Sequence, residues 1–230
     1  MIPLADLNPT RSTPIANRLL LLVNIAVWIY VVTLLGRPAA LRDFYERYAF
    51  DWSEFVSLIG AGRIELDTFV PLVTHMFLHG SWLHIVANML YLWIFGDNVE
   101  ERIGSGPYVL FYFLAGTAGA LLQGLIAPAP MVGASAAIAG VLGAYAVMYA
   151  GAHIRTLIFL GIFITVVNLP ALVVIGFWFV AQVLSGLAEL RLSGQAATEN
   201  VAYWAHVGGF VAGIALLRFF PGRRTSTRLR

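Results

Sequence analysis

The sequence predicts an all-α membrane protein, a bundle of six transmembrane helices with a long interfacial first loop. Three observations predict it. Of 230 residues, 60% are hydrophobic and 11% charged, with a mean hydropathy of +0.81; a soluble domain carries about 25% charged residues. Six apolar runs recur along the chain, each close to the roughly 17–25 residues that cross a bilayer as a helix. The segments between those runs carry nearly all the charge.

The same composition excludes several functions. Cysteine is absent, so there is no disulfide, thiol nucleophile or cysteine metal site. The formal net charge is +2, and all 14 basic residues are arginine. No basic face interleaved with aromatics is present, so nucleic acid is not an expected partner. No internal repeat is evident, which argues against the inverted-repeat transporters.

Residues 1–18 are polar and hold Pro3, Pro9 and Pro14; they read as a poorly ordered N-terminal tail preceding a membrane domain over 19–220. Residues 19–35 form the first span. That run is long for a secretory signal, and Pro38-Ala39-Ala40 is a poor cleavage site. Residues 36–70 mix Arg37, Arg42, Arg47 and Arg63 with six acids, and Phe44, Tyr45, Tyr48, Phe50, Trp52 and Phe55 thread through them. Such a mixture suits the headgroup layer, so short interfacial helices are expected there. Residues 69–95 are the second span, closed by a turn-rich polar loop over 96–107. The third span is 108–126 and ends before Pro128 and Pro130; the fourth is 135–150. Residues 156–167 are apolar and read as a buried connector or the start of a kinked helix. The fifth span is 171–190, the sixth 203–220, and residues 221–230 form a basic tail with Arg223, Arg224, Arg228 and Arg230. Cytoplasmic flanks collect arginine, which favours a multi-pass, N-in, C-in protein, expected in the inner membrane of a bacterium.

That topology places three chemical groups at one depth. Ser135 opens a helix running from outside to inside, and His206 lies early in a helix running the same way. His84 also lies early in an inward-running span, with Asn88 one turn deeper on the same face. A hydroxyl becomes a nucleophile when a base reaches it. Ser135 and His206 would supply the pair. The Ser135 N–H has no acceptor in its own helix and, with His84 and Asn88, could donate to an oxyanion. No acid lies in the spans near this depth, so a dyad is expected rather than a triad. Gly209 and Gly213 share a face after His206, and Ala134, Ala139 and Gly143 offer small surfaces opposite. Small residues let helix backbones approach in lipid. His75, His79 and His84 have spacings that can share a metal, but no carboxylate or cysteine accompanies them, so no metal is expected. Thr74, His75, His79, Ser81 and Gln123 are candidates to line a wet cavity, and residues 196–204 with the fifth span form a candidate lateral gate.

On these residues the chain resembles the rhomboid intramembrane serine proteases. Gly133-Ala-Ser135 matches the family's G-x-S motif, and His84-x-x-x-Asn88 matches its second-span H-x-x-x-N. Ala205-His206-x-x-Gly209-x-x-x-Gly213 matches A-H-x-x-G-x-x-x-G. His75, His79 and His84 match the spacing of the entrance histidines, and Glu100-Glu-Arg102-Ile-Gly104 is similar to the E-x-R loop. The resemblance implies a rhomboid-like six-helix bundle. It implies Ser135 as nucleophile, His206 as general base, and His84, Asn88 and the Ser135 amide as the oxyanion hole, with Gly133, Gly209, Gly213 and His79 in support. It also implies cleavage of single-span membrane proteins near the outer face of the bilayer, after small residues, with no cofactor or metal. Ala136 and Ala139 stand where many members carry glycine and an aromatic that packs on the histidine, and Val70-Pro71 stands where the family has Trp-Arg. A pseudoenzyme acting as a membrane chaperone or binding protein is the rival reading. Such proteins lose the serine or the histidine, and this chain keeps both.

Overall fold

A computed structural model describes residues 1–161, 163–192 and 201–221. Long helices dominate it: α1 (Ile15–Leu34), α6 (Trp82–Ile103), α7 (Ser105–Ile126), α8 (Ser135–Met148), α9 (Ala171–Leu192) and α10 (Tyr203–Leu216). Among the described residues, α1, α7 and α9 are each long and apolar enough to cross a membrane. A fourth candidate span joins α6 to the short helices before it across an 85° bend. α8 and α10 are shorter apolar helices of 14 residues each. The core lies where α6, α7 and α8 meet. Phe95, Phe111, Tyr112, Leu142 and Tyr145 are fully buried there, and Phe95 meets Tyr145 edge-on at 5.0 Å between ring centroids.

The first loop folds into α2 (Pro38–Tyr48), α3 (Trp52–Gly60), α4 (Leu66–Phe69) and α5 (Pro71–Thr74). Asp51 caps α3 by accepting from the N–H groups of Ser53 and Glu54. The continuous span expected from residue 69 does not form. Pro71 starts a new helical turn, and the chain runs through residues 78–81 before Ser81 caps α6 by accepting from His84 N–H. α6 then runs on to Ile103, through the residues expected to form a polar loop. Their polarity serves packing instead. Both Glu100 carboxylate oxygens accept from the N–H groups of Ala16 and Asn17 at 3.0 and 2.7 Å. Those donors belong to the first turn of α1, which no residue of its own caps. Glu101 accepts from the Arg11 and Ser12 N–H groups. Gly96 is a close-packing site facing Asn17 and Tyr108 rather than a turn. The turn falls at Gly104, whose φ of 92° favours glycine.

Two further expectations are corrected by a three-stranded antiparallel sheet, which makes the fold mostly helical rather than all-α. The tail expected to be disordered contains β1 (Ile2–Asp6), and the apolar connector is a hairpin of β2 (His153–Leu160) and β3 (Phe163–Pro170). β1 pairs with β2, Ile2 opposite Leu157 and Asp6 opposite Ile154. β2 pairs with β3 along its whole length, from His153–Pro170 to Leu160–Phe163. The hairpin segment is rich in β-branched and aromatic residues that favour strands. β1 is fastened by side chains as well. Asn98 donates to the Asp6 carboxylate at 2.6 Å and accepts from Asn8 at 2.8 Å. The basic tail beyond Pro221 and residues 196–200 of the candidate gate lie outside the described residues.

Candidate active site

The loop entering α8 sets the position of Ser135. Phe50 and Met131 exchange both backbone hydrogen bonds, and Gly133 N–H donates to the His75 carbonyl at 2.8 Å. Gly133 has φ 122°, and a β-carbon there would sit 2.6 Å from His84 Nε2. Glycine therefore serves both the backbone conformation and the close approach of His84. Ser135 is the first residue of α8, so its N–H has no acceptor within the helix.

α10 brings His206 to it. A β-carbon on Gly209 would collide with the Ala136 carbonyl, and one on Gly213 with the Gly140 carbonyl. On the opposite side of the seam, Gly143 abuts the Phe210 carbonyl. The small surfaces that meet the α10 glycines are thus Ala136 and Gly140, alongside the expected Gly143, while Ala134 and Ala139 are buried in the main core. This packing leaves His206 Nε2 2.7 Å from Ser135 Oγ. His206 Nδ1 lies 2.7 Å from Gln182 Oε1, on α9. An amide oxygen only accepts, so Nδ1 carries the proton and the Nε2 lone pair faces the serine hydroxyl. The Trp178 ring covers the imidazole at 5.7 Å between centroids, tilted by 37°. It places an aromatic beside His206 although position 139 is alanine.

A cavity of about 470 Å³ opens onto this pair. Ser135, His206, His84, Asn88, Trp178 and Tyr91 are among its walls. Asn88 Nδ2 is buried and has no hydrogen-bond partner within the protein, which leaves it free to donate into the cavity. His79 stands behind His84, their rings edge-on at 5.0 Å, and its carbonyl accepts from Tyr45 OH at 2.6 Å.

Of the residues expected to line a wet cavity, Ser81 does so. Thr74, His75 and Gln123 brace loops instead, and both His79 ring nitrogens are buried without a hydrogen-bond partner. Thr74 Oγ donates to the Tyr48 carbonyl, His75 Nδ1 pairs with the Pro71 carbonyl, and Gln123 ties Ala127 to the Ala205 N–H. Each is a polar side chain satisfying backbone groups where the chain turns. Trp178 and Gln182 belong to no motif and were not expected at the site. The signal was available: Gln182 is the sole polar side chain over residues 171–184, and Trp178 lies one turn before it. A lone polar residue in an apolar span faces the protein interior by default.

Comparison with known proteins decides the family. The family model described as the rhomboid domain matches residues 67–222. The chain belongs to the rhomboid family. This rhomboid is 32% identical over 142 residues to the rhomboid protease GluP of Bacillus subtilis, covering 62% of this chain and 24% of that one. It is 26% identical over 212 residues to RHOMBOID-like protein 4 of Arabidopsis thaliana, covering 84% and 49%. It is 29% identical over 154 residues to the mitochondrial Rhomboid protein 1 of Saccharomyces cerevisiae, covering 63% and 40%. The rhomboid thus spans less than two thirds of the length of these curated relatives. With its apolar helices, the family places it in a membrane as an integral protein.

Proposed function

We propose that this rhomboid is an intramembrane serine protease that cleaves single-span membrane proteins near the outer face of the bilayer. The observation that carries the reading is the 2.7 Å approach of His206 Nε2 to Ser135 Oγ, inside the 2.6–3.2 Å range for a nucleophile and its base. In the first step Ser135 Oγ attacks the scissile carbonyl carbon and His206 Nε2 takes the hydroxyl proton. The oxyanion that forms accepts from the Ser135 N–H, Asn88 Nδ2 and the His84 ring. Collapse breaks the C–N bond, passes the proton from Nε2 to the departing amine and leaves an acyl-enzyme. Water, deprotonated by the same nitrogen, then releases the acid and regenerates the serine. The mechanism uses a dyad and requires no metal or cofactor.

Six spans are part of the proposal, with α8 and α10 as the short fourth and sixth. Their 14 residues span about 21 Å against a hydrocarbon layer of about 30 Å. Helices so short begin below one membrane face, which recesses Ser135 and His206. The arginine distribution supports N-in, C-in, and a bacterial inner membrane is our reading of the location.

Purified protein in liposomes, incubated with a panel of single-span substrates and separately with a fluorophosphonate probe, tests the proposal. Ser135→Ala abolishes both labelling and cleavage, and His206→Ala lowers cleavage by about 10³-fold or more. Unchanged labelling of Ser135→Ala removes the nucleophile. A wild-type chain that cleaves nothing from a panel a related protease cuts is an inactive binding or chaperone protein.

A further inference from the structure

The base of this site has a second polar partner that the dyad reading does not use. We propose that Gln182 is a positioning residue that holds His206 in its working tautomer, and that α9 must be seated for it to act. The inference rests on the dyad reading above and adds a third member on a different helix.

Three observations carry it. His206 Nδ1 and Gln182 Oε1 are 2.7 Å apart, as short as the His206–Ser135 contact on the other side of the ring. The amide orientation is itself fixed: Gln182 Nε2 faces the Trp178 carbonyl at 3.4 Å, one helical turn earlier. A flipped amide would set its oxygen against that carbonyl and its N–H₂ against Nδ1. The imidazole would then carry its proton on Nε2 and could not accept from Ser135. Trp178 covers the ring face, so the imidazole is held in plane by one α9 residue and along its Nδ1 axis by another.

A further observation concerns the helix that carries both residues. Only 22% of the α9 span is buried within the protein, against 44% for α7 and 39% for α1. Leu172, Val173, Phe177, Val180 and Leu184 face outward. Ser135 and His206 are fixed to each other by the glycine seam, which α9 does not enter. Orientation of the base therefore depends on the least buried of these three spans. Displacing α9 leaves the serine and histidine adjacent but removes both the acceptor that selects the tautomer and the ring that restrains the imidazole. Seating it restores both.

Gln182→Met and Gln182→Glu in the liposome-reconstituted protein test this. Methionine keeps the length and removes the acceptor; glutamate keeps an acceptor at the same place. Gln182→Met is expected to lower kcat by about 10–100-fold with KM within about twofold and an unchanged melting temperature. Gln182→Glu is expected to recover most of the loss. The 15N resonances of labelled histidine, with His206 assigned by comparison with His206→Ala, give a readout independent of cleavage. In wild type Nδ1 of His206 is the protonated nitrogen, and in Gln182→Met that preference is lost. A Gln182→Met enzyme with wild-type kcat, or with the His206 resonances unmoved, overturns the proposal. So does an equal loss in both variants together with a lower melting temperature, which marks a packing role. A wild type that cleaves nothing while the resonances still shift refutes the protease reading and leaves the tautomer lock standing.

Discussion

The α8–α10 seam and the α9 flank hold the same histidine in opposite ways. Across the seam, backbone touches backbone: the Gly209 and Gly213 positions lie against the carbonyls of Ala136 and Gly140. On the flank, contact runs through side-chain tips. Phe179 stacks on Phe210 at 4.3 Å and 26°, and Gln182 and Trp178 meet His206. A backbone contact cannot be trimmed or repacked by a rotamer change, whereas a side-chain contact can be weakened in steps. The difference teaches that the nucleophile–base distance is set all-or-none, while the orientation of the base is adjustable.

The strongest way to break this contrast is Gly209→Val. The new β-carbon meets the Ala136 carbonyl, one residue from Ser135, and neither helix can yield without separating. Overpacking typically costs about 1–3 kcal/mol, and separation of the dyad removes catalysis besides. Fluorophosphonate labelling and cleavage are expected to fall at least about 100-fold, with a lower melting temperature in detergent. Val211→Leu on the same helix faces outward and serves as the control, with both readouts unchanged. A Gly209→Val protein that labels normally would show that the seam does not set the distance.

A smaller effect is expected from Phe179→Ala. It removes the α9–α10 ring stack, worth about 0.5–1.5 kcal/mol beyond burial, and leaves the seam intact. Cleavage is expected to slow about three- to tenfold. Labelling of Ser135 persists, because Ser135 and His206 stay adjacent. Loss of labelling on the scale of Gly209→Val would erase the distinction between the two regions.

The glycine side of the seam was legible in the sequence, its α8 partners were legible at Gly143 alone, and the flank was not; the reason is physical. Small residues spaced along apolar helices report close packing locally, and Ser135, His84, Asn88 and His206 each sit at a span entrance where depth follows from topology. Gln182 is neutral and isolated among the apolar residues of 171–184, so neither charge nor motif marks it. The sheet was hidden for another reason. The apolar run over 156–167 reads alike as strand or buried helix. Its partner Ile2–Asp6 lies about 150 residues away in the chain, and no local pattern announces such a pairing. Residues 96–103 read as a loop because their polarity resembles one. Glu100 and Glu101 in fact accept from the N–H groups of residues 11–17, a use visible once the chain is folded.

The smallest expected effect on catalysis comes from the opposite end of α6, and it sharpens the comparison. Asn98 is ten residues beyond Asn88 on that helix, about 15 Å along its axis. It donates to Asp6, accepts from Asn8, and its carbonyl accepts from Tyr149 OH at 2.9 Å. Asn98→Ala removes these two side-chain bonds and a third, from Asn98 Nδ2 to the Asp97 carboxylate, and leaves the Asp6 carboxylate, half-buried at the sheet edge, without its closest donor. Each lost bond to a buried polar partner costs about 1–3 kcal/mol, so the melting temperature falls and β1 becomes protease-sensitive. Cleavage below that temperature stays within about twofold of wild type, because Asn88 and the seam are held by contacts that Asn98 does not share. A rate that falls together with stability would mean that α6 transmits the state of the sheet to the oxyanion donors. The seam would then owe part of its rigidity to strand pairing at the far end of the bundle.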